Sequence, residues 1–218
     1  MTEVKDAEDY SLGFGIADMA YLLQLQKTPG SLTSAERLRL LDESRDAGLV
    51  RAGLSSLIAR GLAKVASDAV VTFDSRVDVV AYTLAHAVQW TQLDLLKSSE
   101  LGDTVLHFES DKTRLLFQPR TMLTWFAVPQ DSGVTAENAE TYLISEHLRE
   151  HPNGGVRIRT EGPAGSAELV VKRDNEHWVW ATVAEGVVGD QTAAEDETAL
   201  LHVLKEVRAT ARRDGDGE

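Results

Sequence analysis

Apolar positions recur at helical spacing from Phe14 to Leu25, where Ile16, Met19, Ala20 and Leu23 share a face and Pro29-Gly30 ends the run. Thr33-Ser34-Ala35-Glu36 reads as a capping box, opening a second helix that carries Leu38, Leu40 and Leu41. A third helix spans Leu49 to Ala63, with Leu54, Leu57 and Ile58 on one face. The period then shortens to two. Ala69 to Phe73 is expected to be a strand, Val77 to Gln89 a helix capped near Ser75, and four strands follow: Thr91–Leu96, Thr104–Glu109, Thr113–Phe117 and Met122–Val128. The short linkers between them favour an antiparallel meander, because a parallel pair needs a long crossover.

A helix from Thr135 to Glu150 stops at Pro152-Asn153-Gly154-Gly155. Three strands come next, Val156–Thr160, Ala167–Lys172 and His177–Val183. Thr192 to Glu195 reads as another capping box. It opens a closing helix to Arg212 whose acids lie early and bases late, as the helix dipole favours. The expected fold is α+β: antiparallel meanders with flanking helices and a helical N-terminal region. Helix followed by strands occurs twice, suggesting a pseudo-twofold arrangement. The expected organisation is a loose leader at 1–12, one α+β domain at 13–212 and a frayed tail at 213–218. That domain divides into a helical part at 13–65, a helix plus meander at 68–130, and a second helix, strands and closing helix at 134–212.

Charge narrows the function classes. The chain has 22 Lys plus Arg against 35 Asp plus Glu, a net −13, so it repels a phosphate backbone and nucleic acid is a disfavoured partner. With no cysteine, thiolate metal sites and Cys nucleophiles are excluded. The N-terminus MTEVKDAEDY lacks the basic and apolar regions of a signal peptide, and no apolar run is long enough to span a bilayer. A cytoplasmic protein with no membrane association is expected.

Candidate chemistry is sparse. His147-Leu148-Arg149-Glu150-His151 matches H-x-x-E-H, in which two His at i and i+4 share a metal. Here the pair sits in a last turn just before Pro152, and no third ligand is evident. A His-dependent metal hydrolase is therefore only a weak alternative, and neither a metal nor another cofactor is expected. The segment Gly53 to Leu62 has the rhythm of a winged-helix reading helix, which leaves an acidic transcriptional regulator as the runner-up. Yet it offers few base-reading side chains beyond Arg51 and Arg60. Trp178 and Trp180 alternate along one strand and share a face. If Val179, Ala181 and Val183 face the core, the two indoles are left for a covering helix or a partner. Trp178, Trp180 and Phe108 are the candidate partner-binding residues.

Three stretches carry a resemblance. Leu54-x-x-Leu57-Ile58-Ala59-Arg60-Gly61-Leu62 leads into a strand and Phe73-Asp74-x-x-Val77; the meander runs through Leu93, Val105, Leu115 and Trp125; and His177-Trp178-Val179-Trp180-Ala181-Thr182-Val183 precedes a closing helix. In these the chain resembles the EspG family of actinobacterial type VII secretion chaperones. The resemblance implies an acidic cytoplasmic protein that binds a helical secretion substrate and has no catalytic activity. It also implies a long substrate-contacting loop, whereas Ser110-Asp111 makes only a tight turn here.

Overall fold

A computed structural model describes residues 12–212. The expected leader and the tail at 213–218 fall outside the described residues, except for Leu12. The fold is α+β, and every strand pairing with a recorded register is antiparallel. The described residues pack as two compact units, 12–88 with 108–129 and 89–107 with 130–212.

The first unit begins with a strand that the hydrophobic pattern did not reveal, β1 (Leu12–Gly15), followed by α1 (Ile16–Gln26). Next come α2 (Pro29–Leu38), α3 (Leu41–Arg45) and α4 (Ala47–Ala59). Thr33 to Glu36 does not start a helix. Thr28 is the cap, its hydroxyl accepting from the Ser31 amide at 3.0 Å, and Pro29 occupies the first helical position, where its missing N–H costs nothing. Arg39 takes a left-handed conformation at φ 59° and separates α2 from α3.

A small hairpin, β2 (Ala63–Val65) with β3 (Val71–Phe73), leads to α5 (Ser75–His86), whose cap is Asp74. After β4 (Gln89–Leu96) and β5 (Gly102–Glu109), the chain supplies β6 (Arg114–Arg120) and β7 (Thr124–Pro129). In the first unit β6 pairs with β7 and β7 with β1. Its core gathers Phe14, Met19, Leu22, Leu57, Leu84 and Phe117. Gly13 pairs with Phe126, and the Phe126 ring lies where a Cβ on Gly13 would touch it at 3.4 Å. Glycine here gives the ring its seat.

The second unit contains β4 and β5 to His107, then α6 (Ala136–Glu150), β8 (Gly155–Gly162), β9 (Gly165–Asp174) and β10 (His177–Ala184). Two short pieces, β11 (Val187–Val188) and β12 (Thr192–Ala194), both pair with β10, and α7 (Glu197–Arg212) closes the unit. Thr192 is therefore a strand residue. Asp196 caps instead, accepting from the Thr198 amide at 2.8 Å. The sheet order is β5-β4-β8-β9-β10, and α7 packs on β8 and β9. Among the described residues, no helix is long and apolar enough to cross a membrane.

Candidate functional site

Strand register decides which face of the second unit is covered. Leu95, Val156, Val171 and Trp180 lie in one cross-strand row, and Leu93, Ile158 and Leu169 in the next. Thr91 and Thr160 continue this face: the Arg208 side chain of α7 donates to Thr91 Oγ1, Thr91 donates to Thr160, and the Gln89 amide donates to both Thr160 Oγ1 and the Arg208 carbonyl. This is the helix-covered face. By alternation Trp178 and Trp180 belong to it. Trp178 is only 3% exposed, with the Arg173 guanidinium 4.5 Å from its ring centre. Trp180 is half-buried.

The helix face is held by a buried polar cluster. The His107 Nδ1 lies 2.9 Å from Glu140 Oε1, and Arg208 donates to the same oxygen through Nη1. Arg208 also donates to Thr91 Oγ1 at 3.0 Å and to Glu137 Oε1 at 3.3 Å. Burial, reinforced by the neighbouring Glu137 charge, holds the Glu140 carboxyl well above the ordinary carboxylate range; the Thr91 hydrogen bond opposes this. Burial and the Arg212 charge lower the Arg208 guanidinium to about 9, which leaves it charged at neutral pH. None of His107, Glu140 and Arg208 exceeds 2% exposure, so no substrate reaches them. The cluster ties α6 and α7 to β4 and β5.

The opposite face carries the candidate site. Asp94, Arg157, Val170 and Ala181 form one row, with Lys172 opposite Val179 beside it. An open cavity of about 440 Å³ is lined by Arg157, Val170, Lys172, Val179 and Ala181 of these rows, together with Trp180, Leu96 and Val188. Val179 and Ala181 are themselves buried, so its accessible apolar surface comes from Leu96, Val188 and half-buried Val170. Ser98 and Asn153 lie at its polar margin. Leu96 and Val188 are themselves 41% and 53% exposed, so an apolar surface is open to a partner. Next to the groove the face turns polar, with Arg159 paired to Asp94 and Arg157 to Glu168.

His147 helps to shape the groove. Its Nε2 donates to the Leu96 carbonyl at 3.0 Å, holding the end of β4 against the turn at Gly154. A Cβ on Gly154 would lie 2.4 Å from that same carbonyl, so only glycine allows the turn to pass. His151 lies beside His147 with ring centres 5.0 Å apart. Among the described residues, no group of three or more His, Cys, Asp or Glu could hold a metal. The H-x-x-E-H string forms the last turn of α6 and its C-cap, His151.

The residues singled out from the sequence separate here. Phe108 is fully buried against Phe117 in the first unit, so it is a core residue and offers a partner no surface. Trp178 is likewise core. The strand that carries the tryptophans contributes Val179, Trp180 and Ala181 to the groove lining. The signal for this was present: both faces of His177 to Val183 are apolar, so one of them needs a second cover. The reading-helix segment also resolves. Arg60 donates to Asp18 Oδ2 at 2.7 Å and to the Gly13 carbonyl at 2.7 Å, so its charge is already paired within the fold.

No family profile and no curated protein matches the chain. Among solved structures it is similar to the Mycobacterium tuberculosis type VII secretion system chaperone EspG5 in complex with the PE25–PPE41 dimer. That likeness has a TM-score of 0.58 at 10% identity and covers 95% of this chain and 98% of the other. At such identity the likeness establishes the fold.

Proposed function

We propose that this protein is a chaperone-like binder of another protein, acting on a helical secretion substrate of the type VII kind. The groove in the second unit carries this reading. It is open, and its apolar lining at Leu96, Val170 and Val188 suits an apolar helix tip. The fold it shares with a chaperone that holds a protein dimer supports the same role. Burial of the partner's tip would keep it from aggregating before export.

Purification from the native host, followed by identification of a stoichiometric partner, tests the reading. The expected result is a 1:1 complex with a helical protein. Val170→Glu, on a half-buried strand position, is expected to weaken that complex roughly 10- to 100-fold, the scale of an interface hot spot, while the protein still folds. Retention of the partner by this variant, or recovery of DNA in its place, would overturn the proposal.

A further inference from the structure

The charges around the groove do not match those of the chain. The protein has 35 acids and 22 bases, yet among the described residues the only charged side chains lining the groove are Arg157 and Lys172, with no Asp or Glu. The two cations differ in availability. Arg157 is engaged by Glu168 across the β8–β9 pair. Lys172 sits opposite Val179 at the groove margin, is exposed, and forms no ion pair among the described residues. The nearby loop charge of Lys97 is already paired with Asp103 at 2.8 Å. An apolar trough with one uncommitted cation at its edge thus lies on a strongly anionic protein.

We infer that the groove selects an apolar helix tip that carries a carboxylate beside it, and that Lys172 reads this carboxylate. The inference rests on the protein-binding reading of the groove. The physical logic is local against global. At ordinary salt the net negative charge is screened beyond about 8–10 Å, so an incoming acid near the groove feels Lys172 first, the Arg157 charge being offset by Glu168. A basic residue at the same place meets the like charge of Lys172 at short range, and specificity arises as much from that repulsion as from the pair. The partner is then an acidic-flanked apolar segment, docked with its acid toward the β9 side of the groove.

Two synthetic helical peptides test this, identical but for a glutamate or a lysine one turn behind an apolar tip. Binding is measured by calorimetry at low and at moderate ionic strength, on the full chain and on Lys172→Glu. Lys172 is exposed, so the variant is expected to keep the melting temperature of the parent. The expected result is a roughly two- to fivefold preference for the glutamate peptide at low salt, the range of an exposed ion pair, which shrinks with salt and reverses in Lys172→Glu. Equal binding of both peptides, lost in Val170→Glu, would overturn the role of Lys172 and leave the groove reading standing. Failure of both peptides to bind would overturn the groove as a helix-tip acceptor and this inference with it.

Discussion

A Cβ on Gly53 of α4 would lie 2.0 Å from the carbonyl oxygen of Ala17 in α1. The same atom would meet the Tyr21 Cβ at 2.7 Å. The two helices therefore pack backbone to backbone, and neither contact is the flexible end of a side chain. Gly53→Ala is expected to cost about 3 kcal/mol or more, since the helices must part to admit one methyl group. Ser55→Ala, on the exposed side of α4, is expected to change stability by less than about 0.5 kcal/mol. Chemical denaturation of the pair of variants checks this.

Glu140 and Arg208 share a buried hydrogen bond, and breaking it leaves one charge without its partner. Arg208→Met is expected to destabilise the protein by about 3–5 kcal/mol, whereas Arg208→Met combined with Glu140→Leu recovers much of the loss. A double-mutant cycle on denaturant midpoints measures the coupling.

Glu140 also predicts a pH dependence. Its folded carboxyl is raised, so between the ordinary value of 4.5 and that higher value the folded state binds more protons than the unfolded state. Its contribution to stability is complete below 4.5 and falls as pH rises through the raised range. Relative to Glu140→Gln, which does not titrate, the parent is expected to lose stability on going from mildly acidic to neutral pH and above. Melting curves of both proteins across that range show the sign; a parallel pair of profiles would refute it.

Burial separates the candidate binding residues by readout. Phe108→Ala and Trp178→Ala are expected to cost about 3–5 kcal/mol of stability as core truncations. Phe108→Leu, which keeps most of the volume, should fold and retain partner affinity. Leu96→Asp, on an exposed groove wall, should do the reverse: a small change in melting temperature and a large loss of partner.

The turn joining β6 and β7 places Met122 and Leu123 at φ 61° and 54°, with Met122 91% exposed. Neither side chain relieves the left-handed backbone. Met122→Asn with Leu123→Gly is expected to stabilise the protein by about 1 kcal/mol, a rise of roughly 2–4 °C in melting temperature.

His147 is expected to behave as a structural donor. His147→Ala should cost about 1 kcal/mol through the lost bond to the Leu96 carbonyl, and added zinc should leave the melting temperature of the parent unchanged. A zinc-dependent rise of several degrees, absent in the variant, would restore the metal reading.

Much of the architecture follows from local chemistry. Period-two apolar runs with short linkers specify antiparallel strands from Gln89 to Pro129 and from Gly155 to Ala184. Thr135 and the Pro152 turn bound α6 as their residue types require. The failures are also local in origin. Thr33 to Glu36 has the composition of a cap, but Thr28-Pro29 is a better start five residues earlier. Leu12 to Gly15 is too short and glycine-rich to show a period, and it becomes a strand because β7 offers an unpaired edge.

The site itself lay beyond such reading. Alternation assigns Trp178 and Trp180 to one face of β10 and Val179 and Ala181 to the other, and this holds from the residues alone. Which face α7 covers depends on contacts made far along the chain, where Arg208 reaches Thr91 and Glu140. Those bonds seat the closing helix on the tryptophan face and leave half-buried Val170 on the other face to line the cavity. Both faces of the strand are apolar, so local hydrophobicity could not choose between them; long-range satisfaction of buried charge did.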